Sequence, residues 1–255
     1  GAFQYDSGEA NEGAAFVFLG ANLGMGGISG GPATAATTLQ GNQATASFGW
    51  SVAGAGDING DGYADVLVGA YLYDSGEMDE GAAFVFLGSS SGVVSGGPAG
   101  AAATLQGNQA SASFGFSVAP AGDVNGDGYA DVIVGSYLYD SGEMDEGAAF
   151  VFVGSASGVA SGSPASAAAI LQGNQVSASF GYSVAGAGDV NGDGYADVLV
   201  GAFGYDAGQT DEGATFVFLG SALGVASSGA VGAAAILQAD QTLAEFGLSV
   251  AGAGD

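Results

Sequence analysis

The chain has 255 residues, 26 of them Asp or Glu and none Lys, Arg or His, for a formal net charge of −26. Without a cationic side chain it cannot grip nucleic-acid phosphates, and anionic membrane surfaces are disfavoured for the same reason. No Cys excludes a disulfide and the soft thiolate metals, and no apolar run approaches the roughly 18 residues of a membrane span.

Acidity of this degree often marks disorder, but 48% of the residues are hydrophobic and 10% aromatic, so a core is available. The chain does not begin with Met and shows no signal peptide, and it reads as a mature product or a segment of something longer. Without Lys or Arg it offers no site to trypsin-like proteases, which suits an exported protein.

Taken in chain order, Gly1-Ala2 stands where Gly69-Ala70 stands one unit later, and an acidic loop follows with Asp6, Glu9 and Glu12. Next comes the run Asp57-Ile-Asn-Gly-Asp-Gly-Tyr-Ala-Asp65. It returns at Asp123–Asp131 and Asp189–Asp197, 66 residues apart each time, and Asp255 stands where a fourth copy would begin. A repeat of this length indicates stacked or radial units. The units are 1–57 (partial), 58–123, 124–189 and 190–255.

Within the second unit, Asp65 opens the β-branched run Val66-Leu-Val68, and an acidic loop follows with Asp74, Glu77, Asp79 and Glu80. Gly81–Gly88 reads as a strand with Phe84 and Phe86 on one face and Val85 on the other. After a Ser/Gly turn with Pro98, Ala103–Gly107 and Ala112–Val118 read as two more strands, the latter alternating Phe114, Phe116 and Val118. Asp131–Gly135 follows the next acidic run. Four short strands per unit, and 51 glycines that argue against long helices, predict an all-β protein. A single four-stranded sheet cannot bury both faces, so the units form a β-propeller of four-stranded blades.

The repeated run reads as a cation loop. Oxygen side chains recur at positions 1, 3, 5 and 9: Asp57, Asn59, Asp61 and Asp65; Asp123, Asn125, Asp127 and Asp131; Asp189, Asn191, Asp193 and Asp197. The position-7 carbonyls of Tyr63, Tyr129 and Tyr195 add a ligand, and Asp255 would begin a fourth set. Hard oxygens at alternating positions suit Ca²⁺ before Mg²⁺, which dehydrates reluctantly. The run starts like an EF-hand, but position 12 is Val68 and strands flank it, so the metal would be structural. The second acidic loop reads as a solvated rim.

From Phe48-Gly-Trp-Ser-Val-Ala-Gly-Ala-Gly-Asp57 through Val68-Gly-Ala70, the chain resembles the FG-GAP repeat of integrin α-subunit propellers and bacterial surface proteins. The pattern returns from Phe114-Gly115 to Gly135-Ser136 and from Phe180-Gly181 to Gly201-Ala202, with a fourth start at Phe246-Gly247. Tyr71, Tyr137 and Phe203 replace the final Pro of the signature. The resemblance implies a propeller, usually of seven blades, with Ca²⁺ in loops joining each blade's first two strands and a partner surface opposite those loops.

The expected function is a non-catalytic, calcium-stabilised structural or adhesive module, extracellular or on a cell surface. Its partners would be other protein chains, and a neighbouring copy completing the split terminal unit would build a filament. The alternative is a lectin-like propeller in which Tyr73, Tyr139 and Tyr205 stack on glycans. Catalysis is not expected, because every blade carries the same acids whereas an active site needs one asymmetric constellation.

Overall fold

The computed structural model describes residues 1–19 and 30–253, so Asp255 lies outside the described residues. Within them the chain is all-β, with helix only as three-residue 3-10 turns such as Pro98–Gly100 and Pro164–Ser166. The first sheet pairs β1 (Ala14–Val17) with β2 (Thr37–Gln40). The second runs β3 (Ser51–Gly56), β4 (Asp65–Ala70), β5 (Ala82–Phe86) and β6 (Ala103–Gln106). The third runs β7 (Ser117–Gly122), β8 (Asp131–Ser136), β9 (Ala148–Phe152) and β10 (Ala169–Gln172). The fourth runs β11 (Phe180–Gly188), β12 (Asp197–Ala202) and β13 (Ala214–Phe218); then β14 (Ser228–Gly229) crosses back to lie parallel with β10, and β15 (Ala235–Gln238) completes the fourth sheet.

Neighbouring strands of each sheet otherwise pair antiparallel in sequence order. These are propeller-type blades, and among the described residues they form an open series, not a closed ring. Each full sheet takes its first strand from the end of one 66-residue unit and the others from the next, so successive units are laced together.

The expected alternation in β5 holds. Phe84 and Phe86 turn back toward the first sheet and join a cluster with Leu39 and Phe48. Val85 and Leu67 turn forward, into a cluster with Phe114 and Phe150 of the third sheet. Val151 and Leu171 repeat the forward role against Phe180 and Phe216. Each sheet therefore presents a phenylalanine face backward and an aliphatic face forward, and the core lies between sheets. Buried Phe pairs sit at centroid distances of 5.7 Å (Phe48–Phe84), 5.5 Å (Phe114–Phe150) and 5.2 Å (Phe180–Phe216).

One strand starts later than its pattern predicts. Ala112–Val118 alternates as a strand, but the observed β7 starts at Ser117. Ser111, Ser113 and Gly115 all take left-handed φ, at 60°, 57° and 81°, which breaks the pleat. The backbone is held instead by the Phe114 N–H donating to the Glu80 carbonyl at 2.9 Å, a link between consecutive sheets. The same geometry explains the two glycines of the motif. A Cβ on Gly115 would collide with the Ala82 carbonyl, and one on Gly69 with the carbonyl of Gly115. Both allow the backbone of one sheet to touch the next.

Candidate metal centre

The loop Asp57–Ala64 joins β3 to β4, the first two strands of its sheet, as the resemblance implies. A register shift between Gly54 and Gly56 turns the chain out of the sheet. Gly60 and Gly62, at φ of 73° and 87°, let the loop fold back on its own side chains. Asp57 Oδ1 accepts the Asp61 N–H at 3.0 Å, and its Oδ2 accepts the Gly62 N–H at 2.8 Å. Asn59 Oδ1 accepts the Asp61 N–H at 3.1 Å, and Asp61 Oδ1 accepts the Tyr63 N–H at 2.9 Å. The other copies repeat this: Gly128 donates to Asp123, and Gly194 to Asp189, each at 2.8 Å. Asn125 and Asn191 Oδ1 accept from Asp127 and Asp193 at 3.0 Å.

Position 9 has a role that spacing does not reveal. Asp65, Asp131 and Asp197 are buried. Asp65 accepts the N–H of Ile58 at 2.9 Å and of Gly88 at 2.7 Å, stapling the loop to the chain beyond β5. Asp131 does the same with Val124 and Gly154, and Asp197 with Val190 and Gly220. Positions 1, 3 and 5 are more exposed, so each loop grades from a buried carboxylate to solvent.

The loops also touch one another. The Asp57 carbonyl accepts the Ala130 N–H at 3.1 Å, and the Asp123 carbonyl that of Ala196 at 2.9 Å. The Tyr129 ring lies over Gly60 and the Tyr195 ring over Gly126. Beyond the carbonyl expected of them, these tyrosines therefore pack each loop on its predecessor, and the three sites form one row.

The electrostatics are one-sided. Burial pushes the Asp131 carboxyl up to about 6, against the Gly154 and Val124 amides, and the charges of Asp127 and Asp123 push the same way. Burial likewise raises Asp65, opposed by the Gly88 and Ile58 amides and reinforced by Asp61 and Asp57. The Gly194 amide leads those that hold Asp189 below the ordinary carboxylate range. Among the described residues no three carboxylates converge closely enough to hold a metal as they stand. The donor set nonetheless fits a hard divalent cation. It consists of oxygen, the carboxylates repel one another, and the chain has no Lys, Arg or His to compensate them.

The second acidic loop is not the solvated rim expected of it. Asp74 and Glu77 are exposed, but Glu80 is buried. It accepts the Ser75 and Asn108 N–H groups, both at 2.7 Å, tying the loop to the Gly107-Asn108 turn. Glu12 and Glu146 make the same pair of bonds. Glu212 makes neither of these; it accepts the N–H of Gln209, the counterpart of Glu77, at 2.9 Å, and its Oε2 is buried without a partner. The cause is local. Gly41, Gly107 and Gly173 approach the Glu12, Glu80 and Glu146 carbonyls too closely for a Cβ, and the fourth unit has Ala239 there, followed by Asp240 in place of Asn108.

Tyr73, Tyr139 and Tyr205 turn inward, packing edge-on against Phe84, Phe150 and Phe216 at 5.1 to 5.2 Å. A second set of aromatics, partly exposed, lies at the same end of the strands. Trp50, Tyr71, Phe116, Tyr137, Tyr182 and Phe203 form one continuous ladder with neighbouring centroids 4.6 to 5.4 Å apart. Trp50 precedes β3 and Tyr71 follows β4, so the ladder lies opposite the acidic loops that join the first two strands of each sheet. Its sequence signals are the replacement of the motif's Pro by Tyr71, Tyr137 and Phe203 and the aromatic after each Phe-Gly, at Trp50, Phe116 and Tyr182.

The FG-GAP repeat family matches residues 48–86, 114–152 and 180–218, in each case the first three strands of one sheet. Integrin alpha-V of Gallus gallus is 38% identical over 175 residues, covering 65% of this chain and 16% of that protein. Integrin alpha-7 of Homo sapiens is 37% identical over 166 residues, 64% of this chain and 13% of its own length. Integrin alpha-5 of Xenopus laevis is 32% identical over 201 residues, 73% of this chain and 18% of its own length. The chain thus spans less than a fifth of the curated relatives it matches.

Proposed function

The chain belongs to the FG-GAP repeat family, and on that basis we propose that it is a non-catalytic, calcium-braced adhesive module acting outside the cell or on its surface. The observation that carries this reading is the division of labour between the two ends of the strands. One end holds three matching acidic loops in a row, and the other displays a continuous aromatic ladder.

Asp57, Asn59, Asp61 and Asp65, with the Tyr63 carbonyl, would hold the first Ca²⁺, and the equivalent residues the second and third. Bound Ca²⁺ supplies the positive charge that the loops lack. The chain's own residues do the rest. Asp65 ties loop to sheet, and the Asp57 carbonyl ties one loop to the next. Bracing the row fixes the angle between sheets, and with it the spacing of the aromatic rungs. That rigid, partly exposed surface suits a protein partner, since aromatics dominate contact energies while losing little entropy.

A glycan-binding role is the second reading. It rests on the exposed carboxylates Asp74 and Glu77, which can accept sugar hydroxyls, while Tyr73 is already engaged with Phe84. Calorimetric titration of the stripped chain with CaCl2 should show three sites, and Asp123→Ala should remove one. No heat of binding would contradict the calcium reading. Binding to an array of extracellular proteins, lost in Trp50→Ser, supports the adhesive reading; saturable binding on a glycan array alone would replace it with the second.

A further inference from the structure

The aromatic ladder repeats one geometry at each junction between sheets, while the sequence changes its chemistry from junction to junction. Each junction holds one aromatic pair, packed edge to face. At the first the pair is Phe3 with Trp50, at 4.8 Å and 71°. At the second it is Tyr71 with Phe116, at 5.4 Å and 76°. At the third it is Tyr137 with Tyr182, at 5.3 Å and 78°. Only there do two phenols meet. Among the described residues no other two of the chain's 10 tyrosines pack ring on ring.

Tyr137 follows β8 of the third sheet and Tyr182 lies in β11 of the fourth, so the pair bridges two sheets. Phe116 packs on the two rings at 4.6 and 4.8 Å, and Phe203 packs on Tyr182 at 4.7 Å. These neighbours hold the two phenols together and offer neither of them another phenol. Both tyrosines are only half-buried, so a small oxidant reaches them. The chain has no Cys, so no disulfide can join its sheets.

We propose that Tyr137 and Tyr182 form a modification site, joined as an intramolecular dityrosine by a one-electron oxidant, namely a haem peroxidase with hydrogen peroxide. Each phenol gives up one electron and one proton, and the peroxide takes both pairs to become two waters. The unpaired spin on each ring spreads to the carbons beside the hydroxyl. A bond forms between one Cε of each ring, and the ring proton displaced from each moves to its own phenol oxygen. Two rings already in contact couple within the chain faster than rings of separate chains can meet. Burial holds the Tyr137 phenol above its ordinary range, so it enters this step protonated. The product staples the third sheet to the fourth, as a disulfide would, by restricting the unfolded chain. The site goes beyond the adhesive reading and does not depend on calcium.

Treating the dilute 255-residue chain with a haem peroxidase and hydrogen peroxide tests this. The expected product is a monomer lighter by two hydrogen atoms, with dityrosine fluorescence. Cleavage at Asp and Glu should then release the Tyr137 and Tyr182 peptides as one linked species. Tyr137→Phe and Tyr182→Phe, which keep the rings, should each abolish the fluorescence without changing the circular dichroism spectrum. Tyr71→Phe should leave it at the parent level. The cross-linked parent should melt at a higher temperature than the untreated chain. Dityrosine that survives in either of the first two variants, or coupling only between chains, overturns the proposal. So does its absence under conditions that couple free tyrosine. A cross-link that leaves the melting temperature unchanged overturns the staple.

Discussion

At the residue scale, the position-9 aspartates carry two demands that pull apart. Asp131 must be buried to accept the Val124 and Gly154 N–H groups, and burial favours its neutral form. Its folded pKa, near 6, lies above the ordinary 3.8, so the protonated form is the one that folding favours. That contribution is present at and below about pH 4 and is lost as pH rises through about 6. In the calcium-free chain, the Asp131 carboxyl carbon should titrate by NMR with a midpoint near 6, and added calcium should move the midpoint down. An ordinary midpoint without calcium would contradict this account. A second residue-scale prediction concerns the fourth unit. Ala239→Gly with Asp240→Asn should let the last turn close on Glu212, stabilising the chain by about 1–2 kcal/mol in urea unfolding. Unchanged or lower stability would show that the unpartnered Glu212 oxygen has another cause.

At the element scale, the sheets depend on one another more than on their own hydrogen bonds, because each buries both faces only between neighbours. Phe150→Ala opens a hole between the second and third sheets and should cost about 3–5 kcal/mol in urea unfolding. A loss below about 1 kcal/mol would mean that the interface carries little of the stability. Strand existence was legible in the sequence because Phe84, Val85 and Phe86 alternate cleanly, and β4 and β8 are β-branched runs. The start of β7 was not, since Ser111 and Ser113 take left-handed φ without being glycine, where the chain contacts the preceding sheet. The acidic loop between β3 and β4 was legible by spacing, but the staple at Asp65 was not, because Gly88 lies 23 residues away and arrives only when the sheet forms. Glu80 misled for a similar reason. A carboxylate among four acids looks solvated until Asn108 of the following turn closes over it.

At the scale of the whole molecule, 26 negative charges have no positive partner in the chain, and two loop classes hold almost all of them. The calcium-free fold should therefore be salt-sensitive, gaining stability as NaCl screens the repulsion. Simple screening differs from bracing, because only ions bound in the row of loops would lock one sheet to the next. On the calcium reading proposed above, the same row would keep the aromatic ladder in register at the opposite end, so that a local metal site acts on a distant surface. The most direct test is thermal unfolding of a sample shown to hold calcium, before and after EDTA at constant ionic strength. The account predicts a drop in melting temperature on the order of 10 °C, reversed by CaCl2. An unchanged melting curve would contradict it.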